Sequence, residues 1–400
     1  MALIRRRLVQ RRKAMGYTQE SIAEKVQVDR STIVRWERGE TDPLPWLRIR
    51  IANALDLSLE SLDALLHDTV AEPMDHKRAS IGKDTQVNER VLAFMQATRA
   101  ADRQVGGGHL YAAVASFLSE HPRPGSTRTS REHAESHAAV ASLSEMAGWM
   151  ALESAAPGTA NEHLELASRY AADSNDHQLL AQTYASRSHL ALQRGNAAAG
   201  VAFADRGLGQ LRTGPRYGRL ASRLLVIRAR ALATSGRPVE AARSLAEAEE
   251  AFDQPGSPVS AWLSPYDTTS FAIDAARHFR TVGDLAETQR RLESVLAGTT
   301  HDRVRSRTMA EMMLATVRLA RDEIDEACTL ISTALRRMTA LASAVLVDQL
   351  RHALLLLEAH VQQSGQVRAL VDEIVEATRA RSWIGLAGPL RASRAGGIMA

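Results

Sequence analysis

Four hundred residues are more than one ordinary compact core accommodates, and 45% hydrophobic residues with only 4% aromatics require cores of Ala, Leu and Val, which suit closely packed helices and not sheets. Glycine and proline, at 24 and 12, are too sparse for a disordered or fibrous chain, and the single cysteine, Cys328, excludes an internal disulfide. The net charge is +4, yet residues 1–50 alone carry twelve Lys and Arg against six Asp and Glu, so the positive excess sits at the N-terminal end, where it suits nucleic acid. The expected fold class is all-α. With no run of about 18 apolar residues and no signal-like apolar core after the N-terminus, the chain is expected to be cytoplasmic and to have no membrane partner.

The first expected helix runs from Ala2 to Met15, with Ile4, Leu8, Arg12 and Met15 on one face. An Arg among apolar neighbours needs a partner, because a lone buried charge costs several kcal/mol. Thr18 is a good N-cap for a short helix whose Ile22, Ala23 and Val26 face inward, and a tight turn follows at Gln27 and Val28. Asp29 is placed to cap a second short helix, with Ile33 and Trp36 inward and Arg30, Ser31, Val34 and Arg35 outward; Gly39 ends it. Long cations and small hydroxyls on the first turns of an exposed helix are what a DNA recognition helix uses, Arg reaching guanine O6 and N7 and Ser or Thr bonding phosphate or base edges. A Pro-containing loop, ETDPLPWL, leads to helices expected at Trp46–Leu55 and Leu59–Leu66, the latter capped by Ser58, with Ile49, Ala52, Leu55 and Leu62 completing the core.

The segment TQESIAEKVQVDRSTIVRWERG, with flanks from about Arg5 to Leu66, resembles the lambda-repressor-like (XRE) helix-turn-helix family almost residue for residue. The resemblance implies a five-helix DNA-binding domain over residues 1–67 and an ion pair between Arg12 and Glu37 that sets the angle between helices. It also implies a double-stranded DNA operator as partner, with Arg30, Ser31 and Arg35 at base edges and Gln19, Thr32 and Arg38 on the phosphate backbone. One domain covers a half-site, so a homodimer is expected, held by the C-terminal part. Glu40 and Asp42 depart from the basic tendency of the family's loop, so loop contacts to phosphate are expected to be weak or to come from backbone amides.

Residues 68–88 mix charge, Pro73 and Gly82 with few bulky apolar side chains and read as a linker; a helix is expected from Val87 to Arg103. In VGGGHLYAAVASFLSE no Gly-Lys-Ser/Thr follows the glycines, so a helix break or hinge is expected there in preference to a phosphate loop. HPRPGSTRTS, residues 121–130, is a loop. From Arg131 onward a loose repeat appears, an Ala- and Leu-rich helix, a turn and a second helix, with turns at 158, 195, 236, 283, 322 and 365. The units, among them GRPVEAARSLAEAEEAF and GDLAETQRRLESVL, resemble degenerate tetratricopeptide repeats, whose period is about 34 residues. They imply an α-solenoid with a concave face over residues 89–400; a non-repetitive helical bundle is the rival.

Helix-turn-helix plus tetratricopeptide architecture resembles the peptide-responsive RRNPP regulators. That implies transcriptional regulation, with the repeats sensing a peptide or small-molecule signal, as peptide is held in those proteins by Asn side chains. Arg277, Arg280, Arg305 and Arg318 suit an acidic ligand or an ordinary wet surface. The alternative is a DNA-tethered scaffold whose repeats bind a protein partner. His133 and His137, at i and i+4, lack the Glu of a zinc signature and a third ligand, so a solvated helix face is expected. No catalytic constellation, cofactor motif or metal set is present, and Cys328 is expected to be a small buried hydrophobe.

Overall fold

The computed structural model describes the chain except for residues 1–4, 40, 67–75, 121–129, 255, 257, 300–302, 363 and 382–400. Ile4, Glu40, residues 121–129 of the expected loop and residues 68–75 of the linker therefore lie outside the described residues. Among those described, the chain is all-α, with nineteen α-helices, two single 3₁₀ turns and no strand. It divides into two compact units, Met1–Gln96 and Ala97–Ala400.

The first unit contains α1 (Arg6–Ala14), α2 (Gln19–Val26), α3 (Arg30–Glu37), α4 (Pro45–Ala54) and α5 (Leu59–Leu66). Thr18 caps α2 reciprocally with Ser21: the Ser21 N–H donates to Thr18 Oγ1 at 3.1 Å and the Thr18 N–H to Ser21 Oγ at 2.8 Å, which satisfies two amides that the helix end leaves without partners. Gln27, in the left-handed region at φ 59°, makes the tight turn. Asp29 occupies the N-cap position of α3 in an extended conformation, but its carboxylate makes no capping bond. Ser58 caps α5 through the Ser61 N–H at 3.1 Å.

Val26, Leu55 and Leu62 are the most deeply buried members of a core that also takes Leu8, Ile33 and Trp36. Each such side chain contributes about 1.5–3 kcal/mol on leaving water. The expectation for Ile49 is corrected: it is 54% exposed, and Ile51, at 4%, takes the core position. The inward stripe of α4 is Ile51, Ala52 and Leu55, and Ile49 lies about 160° around the helix from Ile51.

Helix α6 (His76–Val105) starts well before the Val87 expected, within the stretch read as a linker. It ends at the three glycines, which form a 3₁₀ turn, Gly107–His109, ahead of α7 (Tyr111–Glu120). The break expected there is present, but it is tied down: the Gly108 N–H donates to Ala342 O at 2.9 Å and the Ala342 N–H to Val105 O at 2.8 Å. Gly106 has φ 77°, and a Cβ on it would lie 2.5 Å from Ala342 O. Glycine permits this close crossing of two backbones.

Six helix pairs follow: α8 (Ser130–Glu153) with α9 (Pro157–Asp173), α10 (His177–Gln193) with α11 (Ala197–Thr213), and α12 (Gly218–Thr234) with α13 (Pro238–Phe252). The series continues as α14 (Thr268–Val282) with α15 (Leu285–Gly298), α16 (Val304–Leu319) with α17 (Ile324–Met338), and α18 (Ala344–Leu357) with α19 (Gly365–Ala380). The hairpins of the first five pairs each place one left-handed residue at the turn: Ala155, Gly195, Gly236, Gly283 and Asp322. The first turn thus falls three residues before Gly158, because Pro157 opens α9 at a position where its missing N–H costs nothing. Gly365 opens α19 after Ser364, whose hydroxyl accepts from the Gln366 N–H at 3.2 Å.

Buried alanines such as Ala160, Ala204, Ala229 and Ala276 let neighbouring helices approach closely. The long step between the turns at 236 and 283 is filled by the segment between α13 and α14, which lies across α8 and α10. The Ser260 N–H donates to Gln178 Oε1 at 2.9 Å, the Ser264 N–H to Gln182 Oε1 at 2.8 Å, and the Ser142 hydroxyl to Trp262 O at 3.3 Å. Trp262, Leu263 and Tyr266 are buried in the process.

Candidate nucleic-acid interface and inner cavities

Helix α3 is mounted through Glu37. Its carboxylate, 5% exposed, accepts from Arg12 Nε at 2.5 Å and Nη2 at 3.2 Å. The Arg12–Glu37 pair implied by the sequence is therefore present, buried and bidentate, the geometry in which a guanidinium holds a carboxylate most firmly. The same carboxylate accepts from Gln19 Nε2 at 2.7 Å, and Gln19 Oε1 accepts from Arg30 Nη2 at 3.3 Å. Arg30 in turn pairs with Glu20, Nε to Oε1 at 2.5 Å, both side chains being well exposed. A continuous polar chain thus links α1, the start of α2 and the start of α3.

Arg30, Ser31, Arg35 and Arg38 are exposed, and Gln19 and Thr32 are half-exposed. The structure brings these six together along α3 and the N-terminal turn of α2, with Arg35 Nη2 3.4 Å from Thr32 Oγ1. Gln19 is the most constrained of them. Its amide carries two N–H groups, and the bond to Glu37 uses one and fixes the side chain's direction.

Several N-terminal cations counted toward the positive excess hold the fold instead. Arg5, 6% exposed, donates to the carbonyls of Trp36 at 2.9 Å and Thr41 at 3.0 Å and pairs with Asp42, while Arg11 donates to Leu55 O at 2.9 Å and Asp56 O at 2.7 Å. These arginines close the carbonyl ends of α3 and α4, where cations are favoured. Asp42 also takes Arg90 of α6 at 3.3 Å. The acid that looked out of place in a phosphate-facing loop is a structural anchor, and no pattern of sequence spacing signals that.

In the second unit the first helices of the pairs line two adjoining cavities. One, of about 320 Å³, takes Trp149, His189 and Tyr266 together with the buried acids Glu145 and Glu153. Glu145 accepts from Gln182 and Ser186, each at 2.5 Å. Glu153 accepts from Arg305 and Ser343, and burial raises its pKa above the usual carboxylate range while Arg305 opposes that shift. His189, edge-on to Trp149, is held well below 6.5, first by burial and then by Arg277 and other arginines, so it is neutral.

The other cavity, of about 340 Å³, shares His189, Arg277 and Met309 with the first and adds Arg230 and Arg280. Of the four arginines singled out in the sequence, Arg277, Arg280 and Arg305 reach these cavities; Arg318 instead pairs with Glu323 and, at 3.3 Å, with Glu293. Neither cavity is lined by an asparagine. Asn175 makes a left-handed turn and Asn196 caps α11 through the Ala199 N–H at 3.0 Å.

His133 and His137 do not form the solvated face expected: they are half-buried and stacked at 5.5 Å, with Tyr170 packed on His137. The described residues contain no group of three or more His, Cys, Asp or Glu arranged to hold a metal. Cys328 is buried at 2% exposure with its thiol pKa raised by burial, as a structural cysteine should be. Among the described residues no helix is long and apolar enough to cross a membrane.

A short helix pair with an exposed second helix, seated on a three-helix support, defines residues of the first unit as a helix-turn-helix domain, and the sequence model of the helix-turn-helix family matches residues 8–62. Among solved structures, the chain is similar to the crystal structure of Bacillus thuringiensis PlcR in complex with the peptide PapR7 and DNA. The identity is 13%, the match covers 78% of this chain and 99% of that one, and the TM-score is 0.38. No curated protein sequence matches the chain.

Proposed function

We propose that the protein is a sequence-specific DNA-binding transcriptional regulator. Helix α3 enters the major groove with Arg30, Ser31 and Arg35 at base edges, while Gln19, Thr32 and Arg38 contact the phosphate backbone. The observation that carries this reading is the exposed arginine-bearing face of α3, held rigidly by the buried Arg12–Glu37 pair beneath it. A rigid mount matters because a bidentate Arg–guanine contact tolerates little displacement. Specific binding requires two half-sites, so the protein acts as a homodimer through its second unit, and light scattering that found a monomer at micromolar concentration would contradict the dimer. The inner cavities of the helical repeats take a peptide or small-molecule effector.

The test begins by selecting binding sites from a random duplex library with the full-length protein. On the selected operator, Arg35→Ala is expected to weaken binding by about 1–3 kcal/mol and to relax preference at one base pair. Arg38→Ala is expected to weaken all sequences alike and to lower the salt slope by about one. Unchanged affinity and base preference for Arg35→Ala overturn the assignment.

A further inference from the structure

The second cavity holds more arginine than its acids pair with. Arg230 enters it from α12 and Arg277 and Arg280 from α14, with Gln349 of α18 accepting from Arg280 Nη1 at 3.4 Å. Arg277 is matched by Asp274 at 2.9 Å, and Arg351 at the rim by Asp348 at 2.8 Å. Among the described residues, Arg230 and Arg280 form no salt bridge. Each guanidinium is nevertheless recessed enough that burial, with Arg277 adding to it, lowers its pKa from 12.5 to about 10; Arg280 also lowers that of Arg230, and Asp274 opposes the shift there. Like charges have been gathered where water screens them poorly, an arrangement unfavourable until a counter-charge arrives.

The chemistry of the wall specifies the counter-charge. Guanidinium presents a planar fork that matches an oxyanion bidentately, which an ammonium does not. Two unmatched guanidiniums call for about two negative charges. Leu190, Met309 and Met313 supply an apolar wall for an uncharged remainder of the ligand, and about 340 Å³ lies within the usual range for small-ligand pockets. We propose that Arg230, Arg277, Arg280 and Gln349 form an oxyanion site that holds the doubly charged end of the effector, a phosphoryl group or a close pair of carboxylates. This deepens the sensor reading and rests on it only for the word effector; the anion site stands on its own residues.

The experiment uses full-length protein in a low-salt buffer free of oxyanions, with inorganic phosphate, pyrophosphate and succinate as probes in calorimetric titrations and thermal melts. At least one probe is expected to bind saturably and raise the melting temperature of the wild type. Arg230→Gln/Arg280→Gln is expected to lose at least about tenfold in affinity and, without anion, to melt above the wild type because it removes unanswered buried charge. Preference for phosphate and pyrophosphate identifies a phosphoryl ligand; preference for succinate identifies carboxylates. Arg280→Lys, which retains charge but loses the fork, is expected to lie between and serves if the double variant does not fold. Absence of saturable binding to the folded wild type, or equal binding by the variants, overturns the proposal. Operator titration of the wild type without probe separates the two readings: absent anion binding with intact operator affinity overturns the site alone, whereas absent operator binding by a protein that takes the anion overturns the regulator alone.

Discussion

Gln19 and Arg12 meet on one oxygen: Glu37 Oε2 lies 2.7 Å from Gln19 Nε2 and 3.2 Å from Arg12 Nη2. A single buried carboxylate therefore sets both the packing of α3 on α1 and the direction of the side chain that opens α2.

Glu37→Ala should consequently act twice. It leaves Arg12 buried and unmatched, with an expected loss of about 3–5 kcal/mol for the first unit, whereas replacing both partners by apolar side chains of similar volume costs much less. Differential scanning calorimetry should show the helix-turn-helix transition lowered in the single variant and largely restored in Arg12→Met/Glu37→Leu. A single variant as stable as the wild type would contradict the structural role given to the pair.

Gly106 and Gly236 share a left-handed backbone, at φ 77° and 72°, but differ in surroundings. A Cβ at Gly106 meets Ala342 O, and one at Gly236 meets nothing within 4 Å. Gly236→Ala is expected to cost about 1–2 kcal/mol of backbone strain, and Gly106→Ala about 3 kcal/mol or more because the crossing with Ala342 must also open. Denaturant titrations of the two variants should rank in that order.

Asp176 serves two elements at once. Its Oδ1 accepts from the Leu179 N–H at 2.9 Å as the cap of α10, and its Oδ2 accepts from the Ser260 hydroxyl at 2.6 Å. Asp176→Ala is expected to cost about 2 kcal/mol and to loosen the segment laid across α8 and α10, which hydrogen exchange at Ser260 and Ser264 reads directly. Unaltered exchange there would show that the segment does not depend on this anchor.

Acid should destabilise the repeats through His189. Its native pKa lies well below 6.5, so as pH falls below about 6.5 the unfolded chain binds a proton that the native chain refuses, and the stability present above that pH is lost. Burial shifts His163, His278 and His352 in the same direction. Each such histidine contributes at most about 1.4 kcal/mol per pH unit. In melts between pH 7.5 and pH 5, His189→Gln should flatten the acid limb relative to the wild type; an identical slope would mean that His189 does not take part.

Much of the site was legible because its signals are local. Thr18, the turn at Gln27, the outward Arg30 and Arg35 and the inward Ile33 and Trp36 follow from spacings within one or two helical turns, which periodicity reports directly. Even Arg12–Glu37 was readable, since an arginine on an apolar stripe demands a partner and the family resemblance pointed to Glu37. Ile49 was misplaced for the complementary reason: in a helix as apolar as α4, with Trp46, Leu47, Ile49 and Ile51 in close succession, the stripe that faces inward is chosen by the neighbouring helices.

The amino-acid sequence by itself determined that the chain is helical, that a helix-turn-helix occupies its N-terminal part and that paired helices repeat after it, because caps, turn residues and a 3.6-residue period act between near neighbours. Only the tertiary structure decided which charges meet. That Arg5 and Arg11 close helix ends, that Asp42 is an anchor, that Arg318 reaches Glu293 while Arg230 and Arg280 gather without a salt bridge, depends on contacts between residues far apart in the chain, and electrostatic partners are set by distance in space.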